Sequence, residues 1–421
     1  MKLLLSSMLL AGAAYAGPLP EVPGLLGPAI ARPLLEQDPE VMAARAGLGQ
    51  AREDAKALEA SPYEWIARVS AQRRTTEPGA RSNEWNAGLE RTLRLPAKAS
   101  ADRQMAAATL DEGMARYRGA WRSASRELVD QWLDWLAARE GQALALAHQK
   151  TAQENLAAVE KRIMAGDASR LDASLARAEL AEQQRAGNDA RTASAVAWAR
   201  LHARFPTLPE QVAPVPSALP LSLDAASLSE RIVARNAMLQ AAQAQLRKAQ
   251  AQSERSRAER MPDPTVGVYT ASEARNQERI TGVMLSIPIP GAQRRTRADA
   301  AVYAAELTRQ EFELKKRELD GSVAAMIATA EGAYAGWEIA DAGAAAMRNN
   351  AALTQRAYVL GEVDLQAFLT AGRLATSAEQ TALAAKVAAT RAYYSVLLDA
   401  NLVWEQPADR GAAAGRQPNT R

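Results

Sequence analysis

Two kinds of hydrophobic pattern occur along the chain, and each predicts a different element. In 63–72, 84–95 and 282–289, apolar and polar residues alternate with a period of two. Segments of roughly ten residues with this period predict β-strands. They fit either the half-buried sheet of a soluble protein or membrane strands with apolar residues towards lipid and polar residues towards a lumen. The aromatic residues Tyr63, Trp85 and Tyr269 at the predicted strand ends favour membrane strands.

The second pattern is the three-and-four spacing that is typical of coiled coils. It is followed by Val323, Met326, Ala330, Ala333, Trp337, Ala340, Ala344, Met347 and Ala351, and nearly so by Leu110, Met114, Tyr117, Trp121, Leu128, Trp132 and Trp135. Proline interrupts helix interiors, and none occurs in 97–205 or 291–406. These tracts predict long antiparallel helix pairs, and a helix of about 65 residues is about 100 Å long.

The chain contains two copies of one arrangement: helix, β-hairpin, long helix, turn and returning helix. Pro96 and Pro290 close the two predicted β-hairpins, and Gly166 and Gly361 follow them by 70 and 71 residues. The first repeat covers 17–224, with a helix at 39–61, a β-hairpin at 62–96, a long helical hairpin at 97–205 and a Pro-rich linker at 206–224. The second repeat covers 225–404, with a helix at 225–261, a β-hairpin at 264–290 and a long helical hairpin at 291–404.

Residues 1–16 have the pattern of a secretory signal peptide. Lys2 precedes a short apolar core, and Ala14-Tyr15-Ala16 is a small-x-small cleavage site. We therefore expect an exported chain that begins near Gly17. No Cys follows the site, which excludes lipid attachment there, and 405–421 is expected to be a flexible tail.

Composition excludes several classes of function. The 51 Lys and Arg nearly balance the 48 Asp and Glu, so the net charge of +3 provides no basic face for nucleic acid. The chain has no Cys and two isolated His, His148 and His202, which are expected to be structural or exposed. Nothing resembles a transition-metal site or calls for a cofactor. No Ser/His/Asp set, phosphate loop or pocket-like acid pair is evident, so we do not expect an enzyme.

The parts together predict a mainly α-helical protein with a transmembrane β part. Four strands cannot close a barrel, and open strand edges cannot face lipid. Three copies would supply twelve strands, an even number within the range of membrane barrels. The alternative is a periplasmic adaptor, a class that usually carries one helical hairpin within β-rich domains, whereas this chain has two hairpins.

Four segments resemble a known family. They are Met261–Gly267 before the third strand, Leu285–Gly291 closing the fourth, and the turn flanks Arg162–Asp172 and Arg356–Leu365. In this order, over nearly all of the mature chain, they resemble the TolC-like outer membrane factors of tripartite efflux systems. The chain is most similar to the outer components of heavy-metal (cobalt–zinc–cadmium type) resistance pumps.

The resemblance implies a homotrimer in the outer membrane of a Gram-negative cell. It implies a twelve-stranded β-barrel in the lipid, a periplasmic α-barrel of long helices, and docking to a periplasmic adaptor and an inner-membrane RND-type transporter. Heavy-metal cations are the implied cargo of a passive exit duct. Drugs or other solutes are the alternative cargo.

The two glycine turns hold the candidate site residues. Gly166 and Gly361 supply a permissive backbone, and Ser169 and Asp364 are expected to cap the returning helices. By resemblance the turns form the periplasmic tip, with the candidate adaptor contacts Gly166, Ser169, Leu171, Gly361, Val363 and Leu365. Asp172 and Asp364 are the implied gate at the channel entrance, where carboxylate rings favour cations. Ala367 stands in the second copy at the position of Asp172. A solvated helix face is the other interpretation of both carboxylates.

Overall fold

The structure is a computed structural model that describes residue 22 and residues 24–77, 79–210, 213–274 and 277–404. The predicted signal peptide and C-terminal tail lie outside these residues. The elements in chain order are α1 (Pro28–Glu36), α2 (Pro39–Glu59), β1 (Trp65–Thr76), β2 (Ala80–Thr92), α3 (Pro96–Met164), α4 (Arg170–Arg204), α5 (Ala225–Arg235), α6 (Ala237–Ala258), β3 (Thr265–Glu273), β4 (Glu278–Ser286), α7 (Ala292–Leu360) and α8 (Leu365–Asp399).

The two halves of the chain repeat each other closely. The long helices α3 and α7 have 69 residues each, and the returning helices α4 and α8 have 35 each. At 1.5 Å per residue, α3 and α7 are each about 100 Å long. None of the described helices is both long and apolar enough to cross a membrane.

Two helical segments differ from the sequence prediction. Helix α1 was missed because Pro28 and Pro33 lie within it. The helix predicted over 225–261 is two helices, α5 and α6. Asn236 separates them, and its side chain accepts the Leu239 N–H at 2.9 Å. An Asn at such a position caps the next helix, so the break has a local cause.

The strands form one antiparallel sheet in the order β1-β2-β3-β4. The stretch 73–83, between the alternating segments 63–72 and 84–95, is mostly strand, because Arg73 pairs with Asn83 and Thr76 with Ala80. Backbone hydrogen bonds continue the ladder whatever the hydropathy of the side chains. The sheet therefore extends beyond its apolar part, and its two edges are β1 and β4.

Among the described residues, three hydrophobic cores hold the helices together. The largest surrounds the middle of α3, where Trp121, Trp132 and Trp135 are buried against the ends of α4 and α8. A second joins α5, α7 and α8, and the third lies beside the turns. Buried residues run along α3 from Lys98 to Val159, whereas in α7 they are only Ala298, Val323, Ile327, Ala330 and Ala344. Helix α7 packs against α6 and α8 but keeps more of its surface exposed than α3 does in one copy of the chain.

Candidate functional site

Each helical hairpin reverses through a turn that contains one left-handed glycine. The φ angle is 82° at Gly166 and 80° at Gly361. The hydrogen bonds are Gly166 N–Ile163 O at 3.0 Å and Asp167 N–Arg162 O at 2.8 Å in the first turn, and Gly361 N–Tyr358 O at 3.1 Å and Glu362 N–Ala357 O at 2.9 Å in the second. Both turns are Schellman motifs, and glycine adopts this φ without strain. The predicted turns are confirmed.

The residues after the turns cap the returning helices. Ser169 Oγ accepts the Asp172 N–H at 3.1 Å, and Asp172 Oδ2 accepts the Ser169 N–H at 2.8 Å and its hydroxyl at 2.9 Å. This reciprocal pair is a capping box. In the second hairpin Asp364 Oδ1 accepts the Ala367 N–H at 2.7 Å. The predicted caps at Ser169 and Asp364 are confirmed. The spacing Ser-x-x-Asp was the overlooked signal that Asp172 belongs to a cap.

Four apolar side chains lie exposed around the turns, and we call them the tip surface. Their exposed fractions are 81% for Met164, 67% for Leu171, 75% for Val359 and 73% for Leu360. Only Leu171 is among the predicted contacts. The other three lie in the last helical turn before each glycine, within the turn flanks but outside the predicted contacts. Clustered exposed apolar residues mark an interaction surface.

The remaining predicted contacts differ in exposure. Gly166, Ser169 and Gly361 are exposed, and Val363 is half-buried. Leu365 differs from its prediction as an adaptor contact, because its side chain is 3% exposed and lies in the core beside the turns. The 195-residue offset between Gly166 and Gly361 makes Leu365 the counterpart of Arg170, one residue before Leu171. One residue rotates a side chain by about 100° around a helix, so Leu365 points inward where Leu171 points outward.

Near the turns, Tyr358 makes one contact within its own hairpin and one with the other hairpin. The rings of Tyr358 in α7 and Phe368 in α8 stack, with centroids 5.2 Å apart and planes 6° from parallel. The ring centroid of Tyr358 also lies 5.0 Å from the guanidinium carbon of Arg162, which belongs to α3 of the first hairpin. Cation–π contacts of this kind are attractive, so Tyr358 links the second hairpin to the first.

Further from the turns, polar and charged side chains link all four long helices. We call His148, Glu179, Arg373 and Glu379 the hairpin latch. Arg373 Nε lies 2.7 Å from Glu179 Oε2, and His148 Nε2 lies 3.0 Å from Glu379 Oε2. Arg348 of α7 is 3.6 Å from Glu379, and a cleft of about 260 Å³ lies among these groups. His148 is isolated in the sequence because its partner Glu379 lies far away in the chain.

The sheet has one apolar and one polar face. The apolar face carries Trp65, Val69, Trp85, Leu89, Val268, Val283 and Leu285. The polar face carries Arg68, Gln72, Arg74, Glu84, Glu90, Tyr269 and Glu273. On it, Arg68 lies 2.6 Å from Glu90 and Arg74 lies 3.2 Å from Glu84. Val69 is 80% exposed and Val283 is 85% exposed. An exposed apolar face opposite a face of ion pairs is typical of strands between lipid and water.

The aromatic residues of the sheet differ in part from the prediction. Trp85 lies on the apolar face, as does Trp65, whose ring is 5.3 Å from the guanidinium carbon of Arg91. Tyr269 lies on the polar face, because it has the opposite parity to Val268 along β3. Tyr63 precedes β1, and its hydroxyl donates to Asp263 Oδ2 at 2.6 Å. Of the three residues named from the sequence, only Trp85 has the place of an interfacial aromatic.

Asp263 is the centre of the joint between the sheet and the helices. Its Oδ1 accepts the Leu95 N–H at 3.0 Å and lies 2.9 Å from Nζ of Lys98, which is 2% exposed. Burial by itself raises the pKa of the Asp263 carboxyl, but hydrogen bonds from Tyr63, Leu95 and Lys98 outweigh it and hold that pKa below its usual value. Burial and Asp263 together raise the pKa of Tyr63 to about 12. Among the described residues, no group of three or more His, Cys, Asp or Glu could hold a metal ion.

Comparison with known families accounts for both halves of the chain. The family model described as outer membrane efflux protein matches residues 31–204 and 228–397. Each match contains the turn of one helical hairpin and nearly all of its two helices. Among curated proteins, no relative matches the chain.

Solved structures show the same fold. The CmeC outer membrane channel of Campylobacter jejuni has a TM-score of 0.75 at 13% identity, covering 92% of this chain and 88% of its own. The MtrE outer membrane channel of Neisseria gonorrhoeae, in its open state, has a TM-score of 0.75 at 18% identity, with 90% of both chains covered. CusC, described in terms of folding and transmembrane channel formation, has a TM-score of 0.72 at 18% identity, covering 88% of this chain and 92% of its own.

Proposed function

The chain belongs to the outer membrane efflux protein family, and from this premise we propose that three copies form an exit duct. Members of the family are passive channels and not enzymes. In the proposed assembly, twelve strands form a barrel in the outer membrane and the long helices form a periplasmic α-barrel. The duct receives cargo from a periplasmic adaptor and an inner-membrane RND-type transporter.

The observation that carries this proposal is the sheet with two faces and two free edges. Its apolar face includes Val69 and Val283, both largely exposed, while its polar face carries the Arg68–Glu90 ion pair. Strands in lipid need every edge paired, so β4 of one copy must pair with β1 of the next. Three copies give twelve strands, an even number within the known range.

Helix α7 supports the same assembly. Its outward side carries Tyr303, Leu307, Leu314 and Ile339 with exposed fractions of 77%, 61%, 57% and 74%. Apolar surface of this extent favours contact with a neighbouring copy. The contrast with α3, which is buried along most of its length, suits a helix that completes its packing only in the trimer.

Single cysteines test this arrangement cleanly, since the chain has no Cys. Ser70→Cys lies on the polar face and Val69→Cys on the apolar face of the same strand. We expect a water-soluble maleimide added to whole cells to label Ser70→Cys and to leave Val69→Cys unlabelled. Equal labelling of both positions, or a purified assembly without the mass of three copies, would overturn the proposal.

We assign adaptor contact to the tip surface together with Gly166, Ser169, Gly361 and Val363. Leu171, at 67% exposure, is the best single probe. We expect Leu171→Asp to abolish efflux in cells while trimers still form, because a charge disrupts an apolar contact. Val196→Asp, which alters a 44% exposed residue of the same helix far from the turn, is the matched control. Loss of efflux in the control alone would contradict the assignment.

The proposed gate consists of Asp172 and Asp364 at the channel entrance. Both carboxylates lie beside the turns, where three copies would bring their negative charges around the axis. Like charges at a constriction repel one another, and carboxylate rings favour cations. Both also cap helices, so a gate role must be tested separately from the cap.

Heavy-metal cations are the proposed cargo, on the strength of the resemblance in Met261–Gly267 and Leu285–Gly291. A passive duct needs no metal ligands of its own, because the inner-membrane transporter selects the cargo. Deleting the gene should lower tolerance to zinc, cobalt or copper. Sensitivity to hydrophobic drugs alone would instead support the drug-efflux alternative. The adaptor alternative is set aside, because the matched family is that of the outer membrane channels.

A further inference from the structure

One row across the polar face of the sheet consists of Arg68, Gly88, Tyr269 and Gly282, one residue from each strand in register. Tyr269 therefore has a glycine on both sides. A Cβ at position 282 would lie 2.6 Å from Cζ and Oη of Tyr269. No real Cβ approaches a ring atom so closely, so the Tyr269 ring occupies the space above Gly282. The ring lies along the wall of the sheet and covers the neighbouring strand.

The two glycines of this row are not equivalent. A Cβ at Gly88 would lie 3.4 Å from Tyr269 Cβ, which is an ordinary van der Waals distance. Gly88 thus has room for a side chain, whereas Gly282 does not unless the ring moves. The atoms in the way at Gly282 belong to the far end of the Tyr269 side chain, which can move by changing its χ1 rotamer. A side chain at 282 therefore displaces the ring and leaves the backbone in place.

We propose that Gly282 keeps the barrel open at this row by letting Tyr269 lie flat against the wall, and that a displaced Tyr269 ring would limit the size of the solute that passes. The inference rests on the proposed function, in which the polar face lines the lumen. In a trimer the row forms a ring with three Tyr269 side chains. Any side chain at 282 would turn these rings away from the wall and towards the axis.

A cysteine on the joint side of this row reports whether a reagent has passed the row. Ser286 is exposed on the polar face and lies four residues from Gly282 towards the joint, about 14 Å along β4. A reagent that enters from the hairpin turns must pass the row to reach Ser286→Cys. Ser70→Cys lies on the other side of the row and reports access that does not depend on it. The probes are a small water-soluble maleimide and a polyethylene-glycol maleimide, both added to whole cells.

We expect Gly282→Ala to slow labelling of Ser286→Cys by the large reagent several-fold and to leave the small reagent unaffected. Adding Tyr269→Ala should restore the rate, because the displaced ring is gone. Gly88→Ala is the matched control and should change neither rate. Labelling of Ser70→Cys should stay constant throughout.

An unchanged rate for the large reagent in Gly282→Ala overturns the inference, and so does an equal slowing in Gly88→Ala. Tyr269→Trp offers a second route that alters no glycine. It enlarges the ring and should slow the large reagent, and an unchanged rate there also counts against the inference. Failure of the small reagent to label Ser70→Cys is a different outcome, because it would overturn the proposed function itself.

Discussion

Arg373 Nε lies 2.7 Å from Glu179 Oε2, across 194 residues of sequence, and this ion pair ties helix α8 to helix α4. The Glu179 side chain is 9% exposed, whereas that of Arg373 is 58% exposed. Gln183 also donates to Glu179, at 2.8 Å, so the carboxylate keeps one partner if Arg373 is removed. We expect Arg373→Ala to weaken the contact between the hairpins by about 1 kcal/mol and to raise the basal conductance of the channel in planar bilayers.

Arg185→Ala is the control for that experiment. Within the described part of the chain, Arg185 pairs only with Glu182 and Asp189 of its own helix, so its loss should leave the conductance unchanged. The exchange Glu179→Arg with Arg373→Glu should restore the low conductance, because it re-forms the pair in the opposite direction. A swapped variant as leaky as Arg373→Ala would show that the pair does not hold the hairpins.

The joint at Asp263 predicts a dependence of stability on pH. The pKa of Asp263 is lower in the folded than in the unfolded chain. Its carboxylate therefore stabilises the fold fully above the unfolded-state pKa of about 3.9, and this stabilisation is lost as the pH falls through the folded-state pKa. We expect Asp263→Asn to lower the midpoint of thermal unfolding at pH 7, and the difference from wild type to shrink towards pH 3. Tyr63 stays protonated over this range, which lies far below its pKa of about 12.

Asp299→Asn provides the comparison. Asp299 is 64% exposed in its pair with Arg260, at 2.8 Å, and exposed pairs contribute little. The thermal unfolding midpoint of the Asp299→Asn variant should equal that of wild type at both pH 7 and pH 3. A constant deficit of Asp263→Asn from pH 7 to pH 3 would mean that packing, and not the charge of Asp263, stabilises the joint.

Local patterns predicted much of this molecule. Short-range hydrogen bonds form the turns at Gly166 and Gly361 and the caps at Ser169 and Asp364. Because each bond joins residues at most five positions apart, local sequence is enough to predict them. The alternation in 63–72 likewise assigned Val69 to the apolar face, because side chains on a strand alternate strictly.

The features that the sequence did not predict depend either on partners far apart in the chain or on which face of a helix or strand a residue occupies. Glu179 and Arg373 meet only because the hairpins pack side by side, and no local spacing encodes that meeting. Leu365 and Tyr269 were assigned to the wrong surroundings by one residue of phase along a helix or strand. One residue rotates a helical side chain by about 100° and moves a strand side chain to the opposite face.

The turn glycines predict a stability effect that is specific to the tip. Replacing Gly166 or Gly361 by Ala places a Cβ on a left-handed backbone, which costs on the order of 1 kcal/mol or more. We expect both variants to lower the resistance of the tip to proteolysis in purified trimers. Gly49→Ala is the control, because that glycine lies within α2 with no atom within 4 Å of an added Cβ. There Ala should stabilise the helix by about 0.5–1 kcal/mol. Equal proteolysis in the tip variants and wild type would contradict the strain argument.

Asp172 has two proposed roles, and two substitutions separate them. Asp172→Ala removes both the charge and the capping box with Ser169, at a cost of about 1 kcal/mol. Asp172→Asn removes the charge but keeps a side-chain oxygen that accepts the Ser169 N–H. If repulsion and cation attraction at the entrance depend on the carboxylate, both variants raise the closed-state current in planar bilayers, and Ala raises it more because α4 also loosens. A rise in Asp172→Ala alone would assign the effect to the cap, and no rise in either would remove Asp172 from the gate.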